Sequence, residues 1–135
     1  IKACEQGYRV LYTTIPYLVT ELKESNSEKK LRMYQRLFEK YDLIIADELG
    51  YISFDREGAD LLFTVLSLRA SQKSTIITSN LTFERWDEIF GDSAITSAIV
   101  DRLTYKAYLI DMEGDSYRLR ETLRSNGTDF ETVVK

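Results

Sequence analysis

Short apolar runs alternate along the chain with segments whose apolar residues recur every three or four positions. An unbroken apolar run is typical of a strand buried in a sheet, whereas helical spacing is typical of a helix that packs one face on that sheet. Residues 43–46 form such a run. Helical spacing is seen in Ile15, Leu18, Val19 and Leu22. This alternation predicts an α/β fold, with a parallel sheet that has helices on both faces.

The same pattern predicts the order of the elements. The predicted strands span 9–14, 43–47, 74–79 and 107–112. A helix ending at Gly7 precedes the first strand, and a two-helix segment, 15–40, follows it. Ser53 or Asp55 is expected to cap a helix after the second strand. The remaining expectations are a short helix at 84–90, a helix from Asp92–Ser93, and a hairpin-like return at 114–119.

Composition narrows the class of protein. The chain has 135 residues, 44% of them hydrophobic and 30% charged, which fits one soluble globular domain. It has no histidine and one cysteine, Cys4, so neither a structural zinc site nor a Cys-His or Ser-His pair is available within it. The net charge of −4 argues against a globally basic nucleic-acid binder but allows a local basic patch. Without a membrane-length apolar run or a visible signal peptide, we expect no membrane contact and a cytoplasmic location.

Two adjacent acids, Asp47 and Glu48, follow the buried second strand. Ligands of open α/β sheets bind beyond the carboxyl ends of the strands, which is where this pair is expected. An Asp there can hold a magnesium ion that bridges nucleotide phosphates, and a neighbouring Glu can orient or deprotonate water. The alternative is a solvated acidic turn after an ordinary strand.

Polar residues that end the third strand belong to the same predicted edge. Thr78, Ser79 and Asn80 lie beside the acids if the two strands are neighbours, and Asn80 could then hydrogen-bond a water or a phosphate oxygen. An ordinary strand-end cap is the simpler interpretation. Two later arginines, Arg102 and Arg118, could act on an anion or could be surface residues in weak ion pairs.

Taken together, these segments resemble the IstB-like transposition helper ATPases, which are AAA+ proteins close to the DnaC helicase loaders. The resemblance covers the chain up to Leu119 and is most specific from 42 to 119. It is carried, in order, by the segments DLIIADELGY, DREGADLLF, STIITSN, FERWDEIFGD, AIVDRL and GDSYRL. It implies a three-layer AAA+ core, of the P-loop NTPase type, over residues 1–119 and a C-terminal tail over 120–135.

The resemblance also implies roles for single residues. Asp47 and Glu48 correspond to the Walker B pair, so that Asp47 holds Mg²⁺ through a water and Glu48 activates the attacking water. Asn80 corresponds to sensor 1. Arg102 corresponds to an arginine finger that acts on the nucleotide of the next subunit, and Arg118 to a sensor 2 arginine near the γ-phosphate. ATP and Mg²⁺ are the cofactors expected of the full-length protein.

The phosphate-binding motif G-x-x-x-x-G-K-[ST] is missing from the sequence, since none of the six glycines precedes a Lys-Ser or Lys-Thr pair. In the family this loop and its strand precede the helix that ends here near Gln6. We therefore expect that the chain is part of a longer protein, that it lacks the first strand and the P-loop, and that by itself it is inactive.

The two-helix segment, 15–40, resembles the extra helical element with which initiator and loader AAA+ proteins face DNA. The basic residues that could make this contact are Lys29, Lys30, Arg32 and Arg36. A solvated helix face balanced by Glu28 and Glu39 is an equally simple interpretation.

Several functions remain open at this point. The favoured one is an ATPase that assembles as a homo-oligomer on DNA and recruits a transposase. A replicative helicase loader is an alternative within the same class. A non-catalytic interaction module without nucleotide binding is the alternative from another class. A phosphoacceptor signalling domain is disfavoured, because Thr13–Thr14 and Asp111–Met112 stand where such a domain needs acids and a lysine.

Overall fold

Three parallel strands form the sheet in the computed structural model, which describes residues 1–70, 72–112, 114 and 116–125. The strands are β1 (Val10–Thr14), β2 (Leu43–Leu49) and β3 (Ser74–Ser79), and β2 lies between the other two. The α/β class, the parallel sheet and the first three predicted strands are confirmed. Parallel neighbours need crossover connections, and helices supply both of them.

Two of the helices, the one after β2 and the one from Ser93, begin at predicted caps. The helices are α1 (Lys2–Glu5), α2 (Ile15–Ser27), α3 (Leu31–Glu39), α4 (Arg56–Ala70), α5 (Asp87–Phe90), α6 (Ser93–Thr104) and α7 (Tyr117–Ser125), with a 3₁₀ turn at Phe83–Arg85 before α5. The Thr14 hydroxyl accepts from the first turn of α2, Asp55 accepts from Gly58 in α4, and Asp92 accepts from Ala94 and Ile95 in α6. In the described part of the chain, none of the helices is long and apolar enough to cross a membrane.

The two faces of the sheet differ in burial. Ile44 and Ala46 of β2 point to one face, where they are 1% and 0% exposed and belong to the same core as residues of α2 and α4. Trp86 and Phe90 join this core as predicted, at 3% and 2% exposure. On the opposite face, Tyr12 is 61% exposed and Ile76 is 49% exposed. The apolar core therefore lies mainly on one side of the sheet.

The fourth predicted strand is wrong. Residues 107–112 form no strand, and their side chains are exposed, with Tyr108 at 97%, Ile110 at 80% and Met112 at 90%. Their β-branched and aromatic composition favours a strand only where a neighbouring strand can pair with it. Among the described residues, no strand pairs with 107–112.

The predicted hairpin-like return at 114–119 is also wrong, because α7 begins at Tyr117. Residues 113 and 115 lie outside the described residues. The helix runs across the expected boundary between the core, 1–119, and the tail, 120–135, and residues 126–135 are again outside the described part. That division of the chain stays a prediction.

Arg69 ties the start of the sheet to the helices. It is 3% exposed, and its guanidinium donates to the carbonyl oxygens of Phe38, Tyr41 and Ser74 at 2.7, 3.2 and 3.0 Å, and to the Thr75 hydroxyl at 3.4 Å. A fork of fixed N–H donors suits several acceptors at once. The Arg69 guanidinium therefore links the end of α3, the segment just before β2 and the start of β3.

We expect Arg69→Met to destabilise the protein by about 3 kcal/mol, because it leaves buried carbonyl oxygens without donors while keeping much of the side-chain length. Urea denaturation measures this loss. Arg85→Met is the matched control. Arg85 is exposed and pairs with Glu88 on the surface, so its loss should cost less than about 1 kcal/mol. An equal loss of unfolding free energy in the two variants would contradict the inference that Arg69 stabilises the fold through its buried hydrogen bonds.

Candidate functional site

The acid pair lies at the carboxyl end of the central strand. Thr14 of β1 pairs with Asp47, while on the other side Ala46 pairs with Ile77 and Leu49 with Ser79. The register of the β2–β3 ladder shifts between Ala46 and Leu49, so the strand is irregular where the acids occur. All three strands are parallel, so their carboxyl ends meet at this edge, as predicted.

Hydroxyl groups from both neighbouring strands hold Asp47. The Tyr12 hydroxyl donates to Oδ2 of Asp47 at 2.6 Å, and the Thr78 hydroxyl donates to Oδ1. These bonds, first the one from Thr78 and then the one from Tyr12, hold the pKa of Asp47 below its usual range. Asp47 is therefore ionised at neutral pH. Its bond to Tyr12 in turn raises the pKa of the tyrosine.

Glu48 has an unusual backbone. Its φ is +67°, a left-handed conformation that costs free energy in a residue with a Cβ. Its N–H donates to the Thr78 hydroxyl oxygen at 3.2 Å, which replaces a regular bond of the strand ladder. The Glu48 side chain is exposed at the edge of the sheet. It is thus available to a water or a ligand above the strand ends.

Asn80 lies against a glycine in the turn after β2. Gly50 has φ +112°, and a Cβ built on it would be 2.4 Å from the Asn80 Oδ1 atom and 3.1 Å from Leu81 Cγ. Glycine is therefore required here for two reasons, the backbone conformation and the close approach of Asn80. This contact brings the end of β3 next to the acid pair.

These groups line one open cleft at the strand ends. Its lining residues are Asp47, Glu48, Tyr51, Thr78, Ser79, Asn80 and Arg118. Arg118, from the first turn of α7, supplies the positive charge, and it lies near enough to help lower the pKa of Asp47. Four of the predicted site residues, Asp47, Glu48, Asn80 and Arg118, are brought together. Their roles in a reaction stay predictions.

The fifth, Arg102, lies elsewhere. It is exposed on α6, and its guanidinium carbon is 5.5 Å from the centre of the Phe63 ring on α4, a cation–π distance. It does not line the cleft of the acids. Its predicted action on the nucleotide of a neighbouring subunit stays a prediction.

The predicted basic contact surface is exposed. Its residues are Lys29, Lys30, Arg32 and Arg36. Lys30 pairs with Glu28 at 2.8 Å, so part of its charge is balanced as the simpler interpretation proposed. Lys29 has φ +59° in the turn between α2 and α3. These residues are not part of the cleft lining.

Sequence reasoning missed Tyr12, Gly50 and Tyr51. Tyr12 faces the same side of the sheet as Asp47, but only the register of β1 against β2 reveals this. Gly50 carried a signal that could have been used. A glycine just after a strand that ends in two acids indicates either a turn or a place where another group lies close to the backbone. Tyr51 is 66% exposed and was indistinguishable from an ordinary surface residue.

The oxygen ligands of the cleft suit a magnesium ion that keeps most of its waters, and they do not suit an ion that is coordinated by protein side chains alone. Among the described residues, no group of three or more His, Cys, Asp or Glu side chains converges. Magnesium keeps several waters and usually takes one or two carboxylates together with substrate phosphates. Asp47 is ionised, and each of its oxygens retains acceptor capacity after accepting one hydroxyl. The cleft therefore fits such an ion when it is shared with phosphates.

Comparison with known proteins gives one family. Residues 1–125 match the family described as IstB-like ATP binding protein. A protein of insertion sequence IS5376 from Geobacillus stearothermophilus, named for ATP binding, is 38% identical over 121 residues, which are 90% of this chain and 48% of that protein. The corresponding protein of IS21 from Pseudomonas aeruginosa is 36% identical over 121 residues, or 90% and 46%. The chain thus spans about half the length of these curated relatives.

Solved structures confirm the fold class. AMPPCP-bound DnaA from Aquifex aeolicus matches with a TM-score of 0.69 and 18% identity, over 92% of this chain and 38% of that chain. Domain III of the replication initiation protein DnaA from Thermotoga maritima matches with a TM-score of 0.66 and 19% identity, over 93% and 52%. At such identities the likeness shows the fold alone, which is the predicted AAA+ type.

We expect Gly50→Ala to destabilise the protein by about 2 kcal/mol and to rotate Asn80 out of the cleft, because the new methyl group meets Oδ1 in addition to straining φ. Gly7→Ala is the matched control. Gly7 also has positive φ, at +84°, but nothing lies within 4 Å of the place its methyl group would take, so it should suffer the backbone cost of about 1 kcal/mol alone. Denaturation and a crystal structure of each variant measure both effects. An unmoved Asn80 in Gly50→Ala would refute the steric argument.

Proposed function

The chain belongs to the family of IstB-like ATP-binding proteins, and from this premise we propose that the full-length protein is a magnesium-dependent ATPase that assists transposition. The observation that supports the proposal most is the cleft in which Asp47, Glu48, Asn80 and Arg118 meet. An ionised acid, a second acid and an amide at the ends of parallel strands, with a guanidinium beside them, are among the groups that nucleotide hydrolysis needs.

Each of these residues has a distinct task in the proposal. Asp47 would hold Mg²⁺ through a water, and the ion, when bound, neutralises charge on the β- and γ-phosphates. Glu48 accepts a proton from the water that attacks the γ-phosphate, since its carboxylate is exposed beside Asp47. Asn80 orients that water or a phosphate oxygen. Arg118 stabilises negative charge that develops on the γ-phosphate.

The loop that binds the phosphates has to come from another part of the full-length protein. The sequence contains no G-x-x-x-x-G-K-[ST] motif, and the chain covers only about half of its relatives, with 48% of the IS5376 protein matched. We infer that the full-length protein supplies this loop to the same edge of the sheet. The 135 residues by themselves should then bind an ATP analogue negligibly, and the full-length protein should bind it clearly.

Basic residues that lie outside the cleft support the partners that we propose. Arg102, which does not line the cleft of its own chain, is proposed to act on the nucleotide of the next subunit in a homo-oligomer. The exposed lysines and arginines around α3 are proposed to contact DNA phosphates. The names of the relatives assign them to insertion sequences, which supports a transposase as the protein partner. ATP and DNA are both present in the cytoplasm, where we propose that the protein acts.

Glu48→Gln in the full-length protein is expected to bind ATP with Mg²⁺ but to hydrolyse it about 10²–10⁴-fold more slowly, because the amide cannot accept the proton. Steady-state turnover and equilibrium binding of the nucleotide measure the two effects separately. Glu57→Gln is the matched control, since Glu57 is an exposed acid of α4 that bonds Asn26. Full turnover in Glu48→Gln would refute the assignment of Glu48 as the base.

Complementation between two variants tests the action of Arg102 on a neighbour. Arg102→Ala should lose about 10³-fold in turnover while still binding ATP. Mixing it with Glu48→Gln subunits should restore activity, because a Glu48→Gln subunit can offer its intact arginine to an intact acid pair. Arg56→Ala, at an exposed arginine that pairs with Asp92, is the control and should need no complementation. Failure of the mixture to recover would contradict action between subunits.

A further inference from the structure

One hydroxyl group contacts both acids of the cleft. The Thr78 hydroxyl donates to Oδ1 of Asp47 and accepts from the backbone N–H of Glu48 at 3.2 Å. A threonine hydroxyl has one hydrogen to donate and two lone pairs to accept with, so both bonds form at the same time. We propose that Thr78 is a positioning residue that sets the Asp47 carboxylate and the Glu48 backbone relative to each other. This inference rests on the proposed ATPase function of the cleft.

The strand itself does not supply this positioning. The β2–β3 ladder is irregular between Ala46 and Leu49, so regular pairing does not fix the two residues between them. Glu48 also has a φ of +67°, a conformation that persists only where the surroundings hold it. The bond from the Glu48 N–H to Thr78 is the contact that the structure provides for this purpose. The Thr78 side chain therefore supplies an acceptor for the Glu48 N–H where the regular pairing of β2 with β3 is interrupted.

The other hydroxyl groups of the cleft have different contacts. Tyr12 donates to Asp47 as well, but to the opposite oxygen. The Ser79 hydroxyl bonds the backbone N–H and carbonyl of Leu81. Among the hydrogen bonds of the described residues, Thr78 is thus the side chain that reaches both acids. Tyr12 and Thr78 can be separated by experiment, because the bond to the Glu48 amide comes from Thr78 and not from Tyr12.

The side chain of Thr78 is not a core residue. It is exposed at the end of β3, so removing its hydroxyl leaves the apolar core unchanged. Its branched Cβ also restricts χ1, which keeps the hydroxyl aimed at β2. Valine keeps this shape and suits a strand, and it lacks only the hydroxyl. Thr78→Val therefore tests positioning with little disturbance of the fold, and Thr78→Ser restores the hydroxyl alone.

The first measurement needs neither nucleotide nor metal. Hydrogen–deuterium exchange of the Glu48 amide, resolved to single residues by mass spectrometry, is measured in the full-length protein. Thr78→Val should exchange about tenfold faster than wild type, because the Glu48 amide loses the hydroxyl oxygen that accepts from it. Thr78→Ser should retain wild-type protection, and Tyr12→Phe should leave this amide unchanged. Equal protection in Thr78→Val and wild type would overturn the inference.

The second measurement is turnover of ATP by the same proteins. Thr78→Val should lose about 10²-fold in kcat, with KM for ATP changed less than about twofold, because small misplacements of reacting groups act on the chemical step. Thr78→Ser should keep most of the activity. Thr64→Val, which removes a hydroxyl that bonds its own helix at Asp60, is the control with unchanged activity. A KM change without a kcat change would overturn a positioning role.

The two proposals fail in different ways. If wild-type protein hydrolyses ATP and Thr78→Val matches it, the role of Thr78 is refuted and the ATPase stands. If wild-type protein shows no magnesium-dependent hydrolysis, both are refuted. Circular dichroism checks each fold, and Thr78→Ala is the second variant without the hydroxyl. Loss of fold in both Thr78→Val and Thr78→Ala would show a structural role instead and would overturn the inference.

Discussion

The hydrogen bonds that Asp47 receives from its two neighbouring strands are the interaction on which the site depends. The Asp47 carboxylate is only partly buried at the end of the central strand, so water could solvate it, but water would not fix its orientation. Tyr12 from β1 and Thr78 from β3 satisfy it from opposite sides. The acid therefore has a defined orientation that is set by three strands and requires that all three pair in register.

The two ends of the sheet are stabilised by different chemistry. At the start of the strands, Asp42 accepts from the Arg9 backbone N–H at 3.0 Å and from the Lys73 ammonium at 3.3 Å. These partners, first Arg9 and then Lys73, keep the pKa of Asp42 well below its usual range. Arg69 binds backbone carbonyls near the same end. Charges there are matched within the protein, whereas at the carboxyl end Glu48 and Asn80 face an open cleft. The start of the strands is therefore suited to stabilising the sheet, and their carboxyl end is suited to binding a ligand.

Fold and family were established by different observations. Structures of DnaA share the arrangement of strands and helices at 18% and 19% identity, which shows the AAA+ fold but not what the chain binds. The match over residues 1–125 and relatives at 36–38% identity establish the family. The cleft adds what neither comparison contains, namely the contacts that orient each acid. Function in the proposal depends on those contacts rather than on the fold.

Resemblance to a family, and not local pattern alone, pointed to the four residues that meet in the cleft. The sequence by itself determined the parallel α/β class, the first three strands and two of the helix caps. It could do so because burial, capping and strand-end polarity are local properties of the chain. It failed at 107–112, where strand-forming residues have no partner strand among the described residues. Only the tertiary structure revealed the contact of Tyr12 with Asp47, the close approach of Asn80 to Gly50 and the dual contact of Thr78. These depend on register and on packing between distant segments, and neither is encoded in any single stretch of sequence.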